Sequence, residues 1–192
     1  MMRIITGTAK GTRLKTLEGD ATRPTAERVK EAVFSMLQGD IEGREVLDLF
    51  AGSGQMSLEA LSRGAKSAVM LDSSPQAIKV INENADRTHL MQQCLIRRED
   101  YLSYINRNSG KQFDIIFLDP PYNSGFYSIA LKNLYAQRML KSTTLIICES
   151  GTDTIFQNEP DLAVLFNVIK QSRYSNTYIT ILSPIIETKE VI

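Results

Sequence analysis

Phe113-Asp114-Ile115-Ile116-Phe117-Leu118 is an apolar run of strand length that leads directly into Asp119-Pro120-Pro121-Tyr122. A run with so little alternation reads as a strand covered on both faces, as in the parallel sheet of an α/β protein. Two consecutive prolines cannot extend that strand, because neither has an N–H to give the ladder and each holds its own φ. The chain after Leu118 is therefore stiff and extended. A carboxylate, the Pro120 carbonyl and an aromatic ring then stand at the carboxyl end of a strand, where open α/β sheets bind their ligands.

Such a group suits a planar amine. The exocyclic nitrogen of a nucleobase is a poor nucleophile, because its lone pair is delocalised into the ring. If the Asp119 carboxylate and the Pro120 carbonyl each accept one of its N–H bonds, the nitrogen is drawn towards tetrahedral geometry. Its lone pair is then aimed at an electrophile. Fixed acceptors of this kind act by positioning and by stabilising the positive charge that develops on nitrogen. Pro121 stiffens the loop, and Tyr122 can stack on an extruded base, an interaction worth about 1–3 kcal/mol. The bland alternative is a loop that ends a strand, with Asp119 capping the next helix.

With 192 residues, 43% of them hydrophobic, the chain can bury a full core, and it is expected to form one domain. Basic and acidic residues balance at 22 each, so the molecule as a whole has no bias towards polyanions. The distribution is uneven. Arg3, Lys10, Arg13, Lys15, Arg23, Arg28 and Lys30 face only Glu18, Asp20 and Glu27 over the same stretch. A phosphate-binding face is expected there, with Arg3, Lys10, Arg13, Lys15, Arg23 and Arg28 as its contacts. Cys94 and Cys148 lie in strand-like surroundings and read as packed thiols of a reducing, cytoplasmic compartment. No apolar run is long enough to span a bilayer. The single histidine, His89, reads as an exposed helix-end residue, which leaves zinc or histidine-based chemistry almost nothing to draw on.

From Glu45 onwards strands alternate with helices. Val46–Phe50, Ala68–Leu71, Leu95-Ile96, Phe113–Leu118 and Leu145–Cys148 read as strands, with helices over Gln55–Arg63, from Pro75 to about Arg87, and around Ile129–Met139. Val164–Gln171 and Thr177–Leu182 follow closely with no helix between them and should pair antiparallel. Before this unit, Arg3–Ile5 and Thr12–Leu14 around Gly7 and Gly11 read as a small hairpin. Thr25 then reads as the N-cap of a helix carrying Val29, Val33, Met36 and Leu37. The expected fold is α/β: a doubly wound, Rossmann-like sheet of seven strands, mixed because of an antiparallel terminal hairpin. Residues 1–44 form a basic hairpin-and-helix extension to the unit at 45–192.

Asp48-Leu49-Phe50-Ala51-Gly52-Ser53-Gly54 puts two glycines where the first strand turns into a helix, so a ligand can approach the backbone closely. The dinucleotide fingerprint would want a third glycine where Ser57 stands. Asp72, at the end of the second strand, can accept hydrogen bonds from both hydroxyls of a ribose. Asp100, beyond the third, can reach an adenine amino group. Asp48, Asp72 and Asp100 at three successive strand ends suit S-adenosylmethionine, which has hydroxyls and amines but no phosphates. Each acid taken singly also fits a helix cap or a solvated side chain.

The glycine loop, Asp72, Asp100 and Asp119–Tyr122 together resemble a class I S-adenosylmethionine-dependent N-methyltransferase. Met2-Arg3-Ile4-Ile5, Gly7, Lys10-Gly11 and Leu14, followed by Thr22-Arg23-Pro24-Thr25-Ala26-Glu27-Arg28-Val29-Lys30-Glu31-Ala32-Val33-Phe34, resemble more specifically the RsmD family. That resemblance implies methylation of a guanine N2 atom in 16S ribosomal RNA of the small ribosomal subunit, with S-adenosylhomocysteine as product and no metal, membrane or obligatory protein partner. It also implies that the loop with Phe50, Ala51, Gly52, Ser53 and Gly54, together with Asp48, Asp72 and Asp100, holds the cofactor. Asp119, Pro120, Pro121 and Tyr122 would hold the amine. Two stretches depart from the family pattern: Gln55-Met56-Ser57 after the glycine pair, and Ser175 at a turn that usually carries glycine. An N6-adenine DNA methyltransferase is the nearest rival; the 44 residues before the unit are too few for a separate DNA-reading domain. A non-catalytic RNA-binding or assembly protein, and last a dinucleotide oxidoreductase, are the others.

Overall fold

The structure, a computed structural model, describes residues 2–17, 24–121, 125–153, 155–156 and 159–186. Arg23 and Tyr122 lie outside the described residues. Seven strands form one sheet: β1 (Glu45–Asp48), β2 (Ser67–Asp72), β3 (Cys94–Arg98), β4 (Phe113–Leu118), β5 (Leu140–Ser150), β6 (Phe166–Tyr174) and β7 (Thr177–Pro184). Their order is β3-β2-β1-β4-β5-β7-β6, parallel from β3 to β5, with β7 antiparallel to both β5 and β6. The terminal hairpin is thus where the sequence puts it. The chain moves outward from β1 in one direction and then from β4 in the other, which makes the carboxyl ends of these two strands the switch point of the sheet.

Helices α1 (Pro24–Met36), α2 (Gln55–Ser62) and α3 (Pro75–Arg87) cover one face of the sheet, and α4 (Tyr101–Arg107), α5 (Phe126–Ala136) and the short α6 (Pro160–Ala163) cover the other. Strand alternation divides the core accordingly. Val46, Ile115, Phe117 and Ile147 meet the first group, and Leu47, Ile116, Leu118, Ile146 and Cys148 meet the second. Burial on both faces explains why β4 shows no polar alternation. Among the described residues no helix is long and apolar enough to cross a membrane.

Several expected boundaries move. α1 begins at Pro24, so Thr25 lies inside its first turn and is not the N-cap. Proline belongs at that position, since its missing N–H would have no helical partner anyway. α5 starts and ends three residues earlier than expected, because Gly125 opens it and Arg138, at φ 54°, turns the chain out of it. β5 is longer than its apolar centre: Thr144 Oγ1 donates to the Phe113 carbonyl at 2.6 Å, tying the polar first half into the sheet. β6 starts at Phe166, after α6 has taken Val164 as its C-cap. α4 was not expected; the Asp100 side chain caps it by accepting from the Ser103 N–H at 3.0 Å, and Tyr101, Tyr104 and Ile105 are its buried face. His89 is exposed just past α3 at φ 58°, as expected of a helix-end residue. Burial pushes the Cys94 thiol up to about 12 and moves that of Cys148 in the same direction, so both are inert.

The amino-terminal segment is welded to α2 by buried polar pins. Its two arms pair through an Arg3–Arg13 bridge, and Ile4 and Leu14 join the core of the α1 face. Glu59 of α2 is 0% exposed, and its carboxylate accepts from the Ile5 N–H at 2.7 Å, the Thr6 N–H at 3.0 Å and Arg63 Nε at 2.8 Å. Lys30, only 2% exposed, donates to the Arg3 carbonyl at 2.5 Å and lies 3.8 Å from Glu59. Burial lowers the Lys30 pKa and the Glu59 charge opposes that shift. Gly7 fits this junction because a Cβ there would lie 1.7 Å from the Ser62 carbonyl oxygen, and its φ is +88°. A second pin is Asn84 of α3, whose amide donates to the Lys15 and Ser53 carbonyls at 3.0 and 2.9 Å and accepts from the Lys15 N–H at 2.8 Å. One side chain therefore joins the extension to the glycine loop.

Candidate active site

The glycine loop leaves β1 with Gly52 at φ +54° and Gly54 at φ +78°, both in the left-handed region that favours glycine. Their surroundings differ. A Cβ on Gly54 would press on Ile81 and Met70 at 3.3 and 3.4 Å, so Gly54 lets α2 start against α3 and β2. A Cβ on Gly52 would meet nothing within 4 Å. Its backbone borders open space, as a ligand-approaching residue requires. The Gly52 N–H donates to Asp72 Oδ2 at 3.0 Å, and Asp72 Oδ1 accepts from the Ser74 N–H at 2.8 Å. Each oxygen thus keeps a lone pair to offer beyond the backbone it holds.

Beside this loop opens a cavity of about 520 Å³ lined by Phe50, Gly52, Asp72, Ser73, Glu99, Asp100, Tyr101, Asp119, Pro120, Pro121 and Phe126, with Leu49 at its base. Strand ends β1, β2, β3 and β4 all contribute. Phe50, Tyr101 and Phe126 form an aromatic cluster with ring centroids 4.9–5.8 Å apart and planes tilted by 31–73°, an apolar wall against which a heteroaromatic ring can pack. Asp72, Glu99, Asp100 and Asp119 make the lining acidic; Arg107, outside the lining, pairs with Glu99. The net negative charge left by the other three opposes a pyrophosphate, whereas a cationic ligand with ribose hydroxyls fits. The structure thus unites Phe50, Gly52, Asp72 and Asp100 with Asp119, Pro120 and Pro121. Glu99, Tyr101 and Phe126 were not foreseen, the two aromatics because α4 had not been recognised and the start of α5 was misplaced.

Asp48, Ala51 and Ser53 face a second, adjoining cavity of about 230 Å³ on the α1 side, which shares Phe50, Gly52 and Asp119 with the first. Gly54 lines neither and acts by packing. Asp48 is 4% exposed; burial pushes its carboxyl from an ordinary 3.8 up to about 7, against hydrogen bonds from the Ser57 hydroxyl, at 2.9 Å, and the Phe50 N–H, with Asp72 adding repulsion. Ser57 thus holds the acid from the position where a dinucleotide loop has its third glycine. Because the folded protein retains this proton where the unfolded chain has lost it, stability should fall as pH rises from about 4 to 7, by up to about 1.4 kcal/mol per pH unit. Urea unfolding of wild type and Asp48→Asn across that range checks this: the variant should lose that component of the slope, and parallel profiles would show that Asp48 is ionised throughout.

Asp119 does not cap the following helix, since the N-cap of α5 is Gly125. It stands at the mouth of both cavities. Of the anticipated RNA contacts, Arg3, Lys10, Arg13, Lys15 and Arg28 are exposed. Arg3 is 61% exposed while paired with Glu27 at 3.1 Å, and Lys15 pairs with Glu83. Lys30, part of the same basic run, is withdrawn into the core. At the other departure from the family pattern, Ser175 adopts φ 58° in the β6–β7 turn, the conformation that glycine would take at less cost.

A seven-stranded sheet of this order, with a glycine loop and acidic strand ends around its switch point, is the class I, Rossmann-like methyltransferase fold. Residues 2–183 match the family described as Conserved hypothetical protein 95, and the chain belongs to this family, the RsmD methyltransferases. It is 35% identical over 150 residues to YlbH of Bacillus subtilis, a candidate rRNA methyltransferase, covering 77% of this chain and 82% of the relative. It is 33% identical over 154 residues to ribosomal RNA small subunit methyltransferase D of Haemophilus influenzae, covering 79% and 80%. Among solved structures, the candidate methyltransferase yhhF of Escherichia coli superposes with a TM-score of 0.82 at 26% identity, over 95% of this chain and 97% of that one.

Proposed function

We propose that the chain transfers a methyl group from S-adenosylmethionine to the exocyclic N2 amine of a guanine in 16S rRNA, presented by the small ribosomal subunit in the cytoplasm. The observation that carries this reading is the acidic, aromatic-walled cavity that ends against Asp119-Pro120-Pro121. Kinship with an enzyme named for the small-subunit RNA supports the substrate class.

The residues present fit the cofactor. Asp72 takes the ribose hydroxyls, Asp100 the adenine amino group, and the Phe50–Tyr101–Phe126 cluster the purine face. The open side of Gly52 leaves room for the methionine chain. When bound, S-adenosylmethionine supplies an electrophilic methyl group on a sulfonium centre, and S-adenosylhomocysteine is the product. Asp119 and the Pro120 carbonyl accept the two N–H bonds of the amine and aim its lone pair, and the proton leaves late. Pro121 keeps the two acceptors rigid, and Tyr122 is assigned the stacking role. Arg3, Lys10, Arg13, Lys15, Arg23 and Arg28 are assigned to the RNA backbone, with residues 1–44 as the RNA-contacting extension.

The test offers labelled S-adenosylmethionine with unmethylated small subunits, deproteinised 16S RNA and duplex DNA side by side, followed by nucleoside analysis. N2-methylguanosine from subunits or RNA is the expected product; label in DNA adenine, or none anywhere, would overturn the reading. With about six phosphate contacts, binding of 16S RNA should weaken with salt at a slope of about −4 to −5 in log K against log salt. A slope near zero would exclude the basic extension as a phosphate-tracking surface.

A further inference from the structure

Glu149 is the penultimate residue of β5 and Asp119 follows β4, and the parallel register of the two strands makes them neighbours. The last registered pair is Leu118↔Cys148, so positions 119 and 149 come next on adjacent strands. Side-chain alternation puts both on the side of Phe117 and Ile147, facing α1. The cavity of about 230 Å³ on that side has both acids in its lining, set among Val29, Val33, Phe117, Ile147 and Ile179; Asp48 lines it too, and Lys30, also in the lining, gives its ammonium to the Arg3 carbonyl and lies 3.8 Å from Glu59. Across the β5–β7 pair, Ile179 is the residue opposite Glu149. An acid on such a wall is costly unless a hydrogen-bond donor arrives to meet it.

Resting on the guanine-N2 reading above, we propose that Glu149 is the specificity-determining residue for the target base, its carboxylate accepting the N1–H of guanine while Asp119 and Pro120 hold the adjacent N2 amine. The Watson–Crick edge of guanine presents the N1–H beside the amine, a row of donors that matches two neighbouring acceptors. Adenine presents an N1 lone pair beside its amine, which faces a carboxylate with repulsion. Asp119 and Pro120 alone serve either amine; Glu149 tells them apart. Burial raises the Glu149 pKa, and an N1–H partner favours the ionised form, so the base supplies what the apolar wall denies. The backbone carbonyl of Glu149 accepts from the Tyr127 hydroxyl of α5, which fixes the strand end from the opposite side of the sheet.

The test uses the guanosine found by the labelling assay, in whichever form of substrate proves active, and replaces it with 2,6-diaminopurine riboside. This base keeps the 2-amino group but carries a lone pair at N1. Wild type should prefer guanine by about 10–100-fold in kcat/KM, and Glu149→Gln, whose amide can donate to N1, should bring the two substrates close to parity. The altered 6-position acts equally on both enzymes, and titration with S-adenosylmethionine confirms an intact variant. A Glu149→Gln enzyme that keeps the wild-type preference would overturn this assignment alone. A wild type that forms no N2-methylguanosine would overturn the proposed function and this assignment with it.

Discussion

Asp119→Ala should lower kcat for methyl transfer by about 10²–10³-fold while the affinity for S-adenosylmethionine stays near that of wild type. The acid follows β4 at the mouth of both cavities, and the Gly52–Asp72 hydrogen bond on the cofactor side does not involve it. On the proposed reading, removing it takes away one of two fixed partners of the amine. Asp72→Ala should do the reverse. Losing the side chain that accepts from the Gly52 and Ser74 N–H groups should loosen the glycine loop and, on the proposed reading, remove the ribose contact, so cofactor affinity should fall first. Isothermal titration and single-turnover transfer separate the two. An Asp119→Ala protein that is folded yet binds the cofactor weakly would reassign Asp119 to the cofactor.

The largest effect on stability is expected at Glu59. Glu59→Ala leaves Lys30 and Arg63 without their counter-charge and the Ile5 and Thr6 N–H groups without this acceptor, with the fully buried Lys30 bearing most of the cost. Removing one partner of a buried ion pair costs about 3–5 kcal/mol. For a chain of this size that is a fall in Tm of roughly 10 °C. Glu59→Gln keeps one acceptor and should fall between. Thermal melts of the three proteins measure this, and a loss below about 1 kcal/mol would mean that the amino-terminal hairpin is held by its apolar contacts and its other polar pins, not by Glu59. Function is tied to the same junction, because Met2, Val29, Lys30 and Val33 form a wall of the cavity that Glu149 shares with Asp119.

The elements that the sequence made legible are those whose cause is local. Ser74-Pro75 initiates α3 because a hydroxyl beside a proline satisfies a helix start within four residues, and Ser74 does accept from the Ala77 N–H, at 3.4 Å. Phe113–Leu118 is read as a buried strand from its composition, and the two prolines that end it carry their backbone restriction with them. The terminal hairpin follows from the shortness of the Ser175-Asn176 connection. The rule that acids at strand ends mark a candidate site picks out Asp48, Asp72, Asp100 and Asp119, all of which line the two cavities. The same rule applied to Cys148-Glu149 would have found Glu149, but the expected strand stopped one residue short.

Tertiary structure alone decided where charges end up. Lys30 belongs to the basic run in sequence, yet it is drawn inside by the Arg3 carbonyl and Glu59, groups 27 and 29 positions away. Glu59 reads in sequence as an ordinary helix acid, and Asn84 as an ordinary helix amide; each gains its role from backbone donors or acceptors delivered by the amino-terminal segment. The division of the candidate site into two cavities, one acidic and aromatic and one apolar with acids in its wall, depends on which face each strand end presents. Sequence determines a carboxylate and its place along a strand, but its surroundings come from chain segments that only folding brings near, and those surroundings decide whether the carboxylate is solvated, buried as a pin, or held ready for a ligand.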